Sequence, residues 1–497
     1  MKQENVEEKG IILYQDKKLK IFHFCIIIIG TIFVLLGAFH TNIWFDESYS
    51  VAIAEHKFNE IWYIDGHDVH PVFYYFLLHL VSILTNSSII AYRLFSVIPV
   101  IIMGILGYKQ ITHDFGRKVG ILFSFFSFFL PVITLYASEI RMYTYVMLFV
   151  TITAIYANRL IKESNKKNWI VFAIFSLLSA YTHYYGLMAA GIINVFLFVF
   201  CIKKNKKMLK PFIISAVIQV IIYLPWCYFL IKQIVSVTGG FWISIKFPDI
   251  IFETINIQFK GNYNNIISFI VAILMYLYVG YIIVKCIKNK IDVKPGIMAI
   301  IVYFSVIFAA ALLSIISPIL YPRYIVVISG LFIFFVSYFM AKEKKKYLTV
   351  IICILVFVYS LYSNIIFMKN NYSYQNKLPF EYLEENIKEN DIIIYKQMGT
   401  GGVLAAKFKN TKQYFYNEEK WGIKEAYKAY APQMDSVESL EFLDNYTGRI
   451  WLEVSQDEDL YENYFNNDKY KVIEVSPLFI TKYKDVSYKF MLLEKVK

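Results

Sequence analysis

Two adjacent carboxylates, Asp46 and Glu47, follow directly on the first long apolar stretch of the sequence. A carboxyl group at the edge of a hydrocarbon layer is poorly hydrated, and it therefore holds a proton more strongly than a carboxyl group in water. Such a group can accept a proton from an attacking hydroxyl, or it can bind a cation. The same pair can also do no more than mark the polar end of a helix, so the pair alone does not decide its role.

The polar segment that follows contains two aspartates and two histidines within six residues, in the order Asp65, His67, Asp68 and His70. Imidazole and carboxylate groups are common metal ligands, and the same groups can orient phosphate and sugar hydroxyls. A hydrated polar loop is the simpler alternative. The spacing leaves open whether a divalent metal takes part.

Two arginines lie at the ends of later apolar stretches, and a tyrosine follows each of them closely. Arg141 precedes Tyr143 by two residues, and Arg323 precedes Tyr324 directly. A guanidinium group offers two parallel donors that match a phosphate, although an arginine at a membrane boundary can also extend to water with no ligand. Glu139, two residues before Arg141, is either its partner or a second active-site acid.

The composition determines what kind of chain carries these residues. Of 497 residues, 58% are hydrophobic and 18% are charged, whereas soluble domains are about 45–50% apolar and about 25% charged. The apolar residues fall into blocks of about 18–22, the length of a helix that crosses a bilayer. We therefore predict a polytopic α-helical membrane protein, which excludes an ordinary soluble enzyme, a disordered chain and a fibrous repeat.

Eleven apolar blocks are predicted to span the membrane. They are residues 21–40, 90–108, 119–135, 143–160, 169–184, 187–202, 211–231, 264–284, 296–316, 324–341 and 347–367. The five cysteines lie in or beside these blocks, which favours packing between helices over a disulfide framework.

The net charge of +12 is distributed unevenly. Residues 368–497 carry 18 basic and 21 acidic side chains, and the remaining residues carry 32 basic and 17 acidic ones. The excess of lysine and arginine lies in alternate short loops, which is typical of the cytoplasmic side of a membrane protein rather than of nucleic-acid binding. This pattern predicts a cytoplasmic N-terminus, with loop 41–89 and the C-terminal domain extracytoplasmic. Asp46, His70, Arg141, His183 and Arg323 then all lie on the outer side.

Two segments of the outer side do not fit a simple span. Residues 71–85 are apolar but short, and counting them as a span would invert every later loop, so we predict an amphipathic helix at the outer interface. Residues 232–263 are predicted to form a second long outer loop, with Gly239 to Trp242 within it.

The C-terminal 130 residues differ from the rest, since helix-like and strand-like runs alternate there at short intervals. A helix is predicted at 381–390, and strands at 391–395, 413–416, 449–454, 471–475 and 490–493. Gly399 to Gly402 is predicted to be a turn, because it lacks the lysine and spacing of a phosphate loop. We therefore predict two domains, a transmembrane domain of residues 1–367 and an extracytoplasmic soluble α/β domain of residues 368–497.

Four segments together resemble GT-C fold membrane glycosyltransferases, and within them the family 39 proteins that include protein O-mannosyltransferases and aminoarabinose transferases. The segments are Asp46-Glu47, His70-Pro71-x-x-Tyr74-Tyr75, Ser138-Glu139-x-Arg141-Met142-Tyr143 and Pro322-Arg323-Tyr324. The resemblance covers about residues 20–330. The C-terminal domain shows no sign of the luminal insertions of eukaryotic mannosyltransferases, which speaks against protein O-mannosylation in particular.

The resemblance implies a sugar transferase that uses a polyprenyl-phosphate donor and an extracytoplasmic acceptor hydroxyl on a glycan, a lipid or a protein. It implies that Asp46 is the base, with Glu47 in support, and that Glu139 is a second active-site acid. Arg141 and Arg323, with Tyr143 and Tyr324, would bind the donor phosphate. His67, Asp68, His70 and His183 would contact substrate. A single displacement predicts inversion at the anomeric carbon, and the resemblance leaves dependence on a divalent metal open.

Two other classes of protein share the gross features of this sequence. A lipid or sugar-lipid transporter or flippase would also have about eleven spans, but such proteins tend to show internal repeats and polar residues near the membrane midplane. A membrane anchor without catalysis would have no use for carboxylates and arginines in four separate outer segments. The clustering of these charges at one interface favours the transferase.

Overall fold

The structure is a computed structural model, and it describes residues 2–238, 247–261, 265–418, 424–456 and 459–496. The chain is mostly α-helical, with a β-sheet near its C-terminus. This architecture agrees with the predicted class, a polytopic helical membrane protein that carries an α/β domain.

Twenty α-helices lie in the described residues. In chain order they are α1 (Lys2–Leu35), α2 (Phe45–Ile53), α3 (Phe58–Gly66), α4 (Phe73–Thr85), α5 (Ile89–Leu106), α6 (Thr112–Phe115), α7 (Arg117–Phe129), α8 (Pro131–Tyr136), α9 (Tyr143–Lys162), α10 (Lys166–Thr182), α11 (Tyr184–Lys204), α12 (Leu209–Thr238), α13 (Phe247–Asn256), α14 (Asn265–Lys288), α15 (Lys294–Leu313), α16 (Ser329–Met340), α17 (Lys346–Asn371), α18 (Leu378–Asn386), α19 (Met398–Lys407) and α20 (Asp459–Tyr464).

Nine helical segments of the described chain are long and apolar enough to cross a membrane, so this is a multi-pass membrane protein. They are Lys17–Leu35, Ile89–Phe115, Tyr143–Lys162, Tyr184–Lys204, Lys206–Ser236, Ile266–Lys288, Lys294–Leu313, Pro322–Met340 and Lys346–Asn371. The other two predicted spans are helical but shorter. The block 119–135 is divided between α7 and α8, because Leu130 is extended and Pro131 begins a new helix, and α10 in the block 169–184 has 17 residues.

The predicted interfacial segment 71–85 is the helix α4, which ends at Asn86 in the left-handed conformation (φ 52°). Asparagine tolerates this conformation at a helix end better than most residues. The predicted outer loop 232–263 is wrong at its start, since α12 continues to Thr238, and α13 lies within the same range. Gly239 to Trp242 lie outside the described residues.

The chain divides into two compact units. The first consists of Met1–Ala38, Leu94–Tyr228 and Val237–Ile366, which include most of the apolar helices. Helices in lipid gain little from apolar burial, so close backbone approach is favoured by small residues at their contacts. Gly330 of α16 is one such residue, because a Cβ atom there would lie 1.8 Å from Oγ1 of Thr151 in α9.

The second unit combines sequence from three places, Phe39–Arg93, Phe229–Ser236 and Phe367–Lys497. The segment that contains α2, α3 and α4 therefore belongs to the same compact unit as the α/β domain. The predicted boundary near residue 367 coincides with the start of the last segment of this unit. The inclusion of residues 39–93 was not predicted.

The α/β domain is built on a six-stranded mixed sheet in the order β3-β2-β1-β4-β8-β5. The strands are β1 (Ile392–Tyr395), β2 (Lys412–Tyr416), β3 (Met434–Val437), β4 (Ile450–Glu453), β5 (Tyr470–Val475), β6 (Phe479–Ile480), β7 (Ser487–Tyr488) and β8 (Phe490–Lys495), and β6 pairs with β7 apart from the main sheet. Strands β1 to β4 run parallel to one another, whereas β8 is antiparallel to both β4 and β5. All four residues of β1 are buried, as expected of a central parallel strand covered on both faces.

The five predicted strands are all present, with ends that differ by one or two residues. The predicted turn at Gly399 to Gly402 is wrong, because these residues lie within α19. Glycine permits close packing here, since a Cβ atom on Gly401 would lie 2.1 Å from the ring of Tyr395. The short strands β3, β6 and β7 were not predicted.

Candidate active site

The acidic pair occupies the first turn of α2, in the second unit. Phe45 is the first residue of the helix, so Asp46 and Glu47 are its second and third residues. The partial positive charge of a helix N-terminus favours carboxylates in this turn. The backbone N–H of Trp44 donates to Oε2 of Glu47 at 3.4 Å, which ties the side chain back to the start of the helix.

Glu47 is fully buried in an ion pair with Arg93, which is 1% exposed. The pair is bidentate, with Nη1 of Arg93 2.7 Å from Oε1 of Glu47 and Nη2 2.9 Å from Oε2. Arg93 also donates to the backbone oxygens of His40 and Asn42. The guanidinium group therefore joins the end of the first apolar segment to the N-terminus of α2.

The α/β domain supplies a third member of this network. The hydroxyl of Tyr483 donates to Oε2 of Glu47 at 2.7 Å, and the Tyr483 ring lies 5.6 Å from the centre of the Arg93 guanidinium group. Both carboxylate oxygens of Glu47 thus accept hydrogen bonds from buried donors. This arrangement holds the Glu47 side chain in one position.

Asp46 differs from its neighbour because the residue is half-buried rather than fully buried, although its Oδ2 atom is buried. Tyr430 of the α/β domain lies beside it, with its hydroxyl 3.0 Å from the hydroxyl of Ser48. Burial raises the pKa of Tyr430 above its usual value, and the negative charges of Asp46 and Asp68 add to this effect. Tyr430 therefore keeps its proton at neutral pH and presents a neutral hydroxyl next to α2.

The predicted substrate-binding segment 65–70 turns at the end of α3. Nδ1 of His70 lies 3.1 Å from Oδ2 of Asp68, so these two side chains form a pair. His67 instead lies at the C-terminal end of α3, with Nδ1 2.8 Å from the backbone oxygen of Tyr63. Asp65, which was not among the predicted site residues, is fully buried, and its backbone oxygen accepts from Gln233 at 3.0 Å.

Tyr49 of α2 is influenced by the charges of this segment. It is buried, and its ring makes edge contacts with Tyr75 and Tyr430 at 5.9 and 6.3 Å. Burial raises the pKa of Tyr49 well above its usual value, and the nearby charges of Asp68 and Asp65 raise it further. Among the residues that the structure describes, no three His, Cys, Asp or Glu side chains are grouped closely enough to hold a metal ion.

The remaining predicted site residues are brought together in the first unit. Glu139 and Arg141 lie in the tight turn between α8 and α9, where the N–H of Arg141 donates to the backbone oxygen of Glu139 at 2.7 Å. Both side chains are buried, with exposed fractions of 4% and 3%. Tyr143, the first residue of α9, is buried as well.

His183 and Tyr324 reach the same cluster from other elements. His183 caps α11, because its Nδ1 accepts from the N–H of Tyr185 at 3.0 Å. Its ring lies 5.0 Å from the ring of Tyr324 and 6.0 Å from that of Tyr143. Three buried rings from separate segments therefore form one aromatic wall.

Arg323 lies at the edge of this wall, in a 3₁₀ turn that precedes α16. Its guanidinium group lies 5.0 Å from the ring of Tyr321 and 5.7 Å from that of Tyr324, which are cation–π distances. Burial raises the pKa of Tyr136, the charge of Glu139 raises it further, and the charge of Arg323 lowers it. Glu139 and Arg323 thus act on the same hydroxyl.

Comparison with known proteins identifies solved structures that have a similar fold. No family model and no curated protein matches the sequence. Among solved structures, ArnT from Cupriavidus metallidurans in the apo state matches with a TM-score of 0.61 at 9% identity, over 95% of this chain and 97% of that one. ArnT from the same organism bound to undecaprenyl phosphate matches with a TM-score of 0.58 at 11% identity, over the same shares of the two chains. This chain has the fold of ArnT.

The match to ArnT confirms the predicted GT-C fold. It also extends that prediction. The sequence resemblance ended near residue 330, whereas the structural match covers 95% of the chain and therefore includes most of the α/β domain. At 9–11% identity, the likeness to ArnT is a likeness of fold.

Proposed function

We propose that this protein is an integral-membrane glycosyltransferase that moves a sugar from a polyprenyl-phosphate donor to an extracytoplasmic acceptor hydroxyl. The observation that carries the proposal is the arrangement of the acidic pair within an ArnT fold. Glu47 is immobilised by Arg93 and Tyr483, and Asp46 beside it is partly exposed. The ArnT structure bound to undecaprenyl phosphate supports a lipid donor of this class.

Asp46 is the proposed base. As the acceptor hydroxyl attacks the anomeric carbon, its proton passes to the Asp46 carboxylate. A new carbon–oxygen bond forms on one face of the sugar, and the bond to the phosphate oxygen breaks on the other, so the configuration inverts. The polyprenyl phosphate leaves with the electron pair of the broken bond. Glu47 cannot share the base role easily, since a proton on it would displace the donors of Arg93 or Tyr483.

The proposed phosphate-binding element lies in the first unit. It consists of Glu139, Arg141, Tyr143, His183, Arg323 and Tyr324. Negative charge grows on the leaving phosphate during the displacement, and fixed cations stabilise it more in the transition state than in the ground state. Arg141 and Arg323 supply those cations, and Tyr143 and Tyr324 support them. Glu139 orients the arginines or acts as a second acid. An aromatic wall that excludes water strengthens each of these interactions.

Four polar residues are proposed to bind the sugar and the acceptor. The Asp68–His70 pair, with His67, offers donors and acceptors for hydroxyl groups, and so does His183 within the aromatic wall. None of these steps is routed through a metal. The loop charges support an orientation in which the N-terminus is cytoplasmic and the α/β domain, residues 368–497, is extracytoplasmic.

The test is transfer of labelled sugar in reconstituted liposomes. The full chain is offered a panel of radiolabelled polyprenyl-phosphate sugars, with water and crude envelope extract as acceptors. Label that leaves the lipid in the presence of wild-type protein supports a lipid-linked transferase and identifies the donor. If no donor loses its label while the protein is folded, the transferase is contradicted, and movement of the lipid across the bilayer becomes the assay for the flippase alternative.

A further inference from the structure

A cleft in the second unit lies apart from the acidic pair, between α3 and the chain segment 424–436. Its volume is about 750 Å³, within the range of about 300–1,000 Å³ that is usual for sites that bind small molecules. His56, Asn59 and Tyr63 line one wall, and Glu425, Tyr427 and Lys428 line the other. One wall thus comes from the loop after the first span, and the other comes from the α/β domain.

Hydrogen bonds between the two walls fix their separation. The hydroxyl of Tyr63 donates to Oε2 of Glu425 at 2.9 Å, and Nε2 of His56 lies 2.9 Å from the backbone oxygen of Ala429. These contacts join residues more than 360 positions apart in the chain. The cleft is therefore built into the fold of the unit.

Each lysine of the cleft lining is paired with a carboxylate, and the remaining lining acid, Glu60, lies 3.5 Å from Nδ1 of His56. The lysine and carboxylate pairs are Lys428 with Glu425 at 2.5 Å, Lys424 with Glu438 at 2.9 Å and Lys412 with Asp435 at 2.5 Å. A phosphate or a polyanion would have to compete with the acids for these lysines and would be repelled by Glu60, and a cation would have to compete with the lysines and with His56 for the acids. This balance favours an uncharged ligand.

The uncharged groups of the cleft suit a sugar. Tyr63 is 46% exposed, and the part of its ring that His67 and Lys428 leave uncovered can contact the apolar face of a pyranose. The amide of Asn59 and the hydroxyl of Ser436 lie on the lining, where they can exchange hydrogen bonds with sugar hydroxyls. Tyr427 is nearly buried, and burial raises its pKa, so it stays a neutral donor at physiological pH.

One short element links this cleft to the acidic pair. Tyr427 and Tyr430 belong to the same 3₁₀ turn, Ala426–Tyr430. Tyr427 lines the cleft, and the Tyr430 hydroxyl lies 3.0 Å from Ser48, two residues after Asp46. A ligand held in the cleft would therefore lie near the helix that carries the proposed base.

We propose that this cleft binds the acceptor of the reaction, and that the acceptor is an uncharged, polyhydroxylated glycan. The assignment rests on the proposed transferase function and narrows it, because the donor and the base leave the chemistry of the acceptor undefined. A glycan chain longer than one sugar fits the volume of the cleft.

The test is direct binding without donor, measured by saturation-transfer NMR on the full chain in nanodiscs. Maltotetraose and chitotetraose serve as neutral probes, and tetragalacturonate serves as the anionic probe. At least one neutral probe is expected to bind wild type, with the anionic probe binding more weakly. Tyr63→Ala and Asn59→Ala are each expected to weaken that binding roughly five- to tenfold.

Two further variants keep the result interpretable. Tyr63→Phe retains the ring but loses the bond to Glu425 that joins the two walls, so it is expected to bind more weakly than wild type and more strongly than Tyr63→Ala. Tyr374→Ala removes a tyrosine that is 63% exposed in the same unit and does not line the cleft, and its binding should match wild type. Melting temperatures show whether each variant is folded.

The proposal is overturned if neither neutral probe binds, if tetragalacturonate binds best, or if Tyr63→Ala binds as wild type does. Donor turnover by wild-type protein is measured separately and tests the transferase itself. Turnover without glycan binding contradicts the cleft alone. Binding without turnover contradicts the transferase and, with it, the role of the cleft as an acceptor site.

Discussion

The hydroxyl of Tyr483 donates a 2.7 Å hydrogen bond to Glu47, although the two residues are 436 positions apart. The bond joins the α/β domain to the first turn of α2, where the proposed base lies. Tyr430 and Ser48 make a second such contact. The C-terminal domain therefore does more than follow the membrane helices, since its side chains complete the surroundings of the acidic pair.

Tyr483→Phe should lower both stability and turnover. Phenylalanine keeps the ring beside Arg93 and removes only the hydroxyl, so the change isolates one hydrogen bond to a buried carboxylate. Such a bond contributes about 1.5–3 kcal/mol. We expect a lower melting temperature and a reduced kcat with little change in donor KM, because Tyr483 positions the acidic pair and does not bind donor. Tyr374→Phe, which removes an exposed hydroxyl bond to Glu381, is the matched control; equal effects of the two variants would contradict the positioning role.

Glu47→Gln should destabilise the protein strongly. It leaves the Arg93 guanidinium buried without its counter-charge, a change that costs about 3–5 kcal/mol in a buried ion pair. Glu438→Gln breaks the exposed pair with Lys424, which should cost about 1 kcal/mol or less. Thermal unfolding in detergent compares the two variants. A Glu47→Gln protein as stable as Glu438→Gln would show that the pair does not hold the start of α2.

Arg141→Gln and Arg323→Gln should each slow transfer by about 10²–10³-fold, the usual cost of losing one donor to a developing negative charge. The control is Arg159→Gln, which removes an arginine of the same unit that is paired with Asp114. It should change kcat/KM less than about threefold. Steady-state kinetics with the donor that wild type uses measure all three variants. The phosphate-binding role fails if the control loses as much activity as the other two.

The free energy of unfolding should depend on pH through the protonation of Lys407. Burial, together with the nearby charge of Arg93, lowers the pKa of Lys407 to about 8. An unfolded lysine binds its proton up to about pH 10.4, so between about pH 8 and 10 the unfolded state holds more protons and stability rises with pH. Below about pH 8 the cost of burying the charge is fully present. Lys407→Met should therefore be more stable than wild type near pH 7.5, and the difference should shrink near pH 9.5. Lys409→Met, on an exposed lysine, should show a difference that does not change with pH.

The parts of the fold that were predicted best from the sequence are those with long, regular patterns. Long apolar blocks and alternating loop charges depend on the membrane alone, so they indicate helices without knowledge of tertiary contacts. The turn predicted at Gly399 to Gly402 was wrong for the opposite reason. Two adjacent glycines usually break a helix, but here they allow α19 to approach Tyr395 and Tyr430 closely, and such a tertiary contact is invisible in the local sequence.

The candidate site residues were chosen from the sequence by their type and position. The residues that hold Glu47 in place, Arg93 and Tyr483, were not predicted. Asp46, Arg141 and Arg323 are charged residues at the edges of apolar blocks, which made them candidates, and the resemblance to GT-C fold glycosyltransferases implied their roles. Arg93 lies in an apolar helix, where a charged residue usually has a buried partner. It was not among the predicted site residues. Tyr483 gave no such signal, because one tyrosine among 41 carries no information about a carboxylate 436 positions away.

The most direct test of the account is sugar transfer by Asp46→Asn beside Asp468→Asn, both reconstituted at equal amounts with the donor that wild type uses. Asparagine keeps the size of the side chain and cannot accept the acceptor's proton, whereas Asp468 is exposed and far from α2 in the sequence. We expect Asp46→Asn to fold as wild type does and to lose at least about 10²-fold in kcat, the lower end of what a general base contributes, while Asp468→Asn keeps wild-type rates. An Asp46→Asn protein that transfers sugar at a near-normal rate would contradict the assignment of the base.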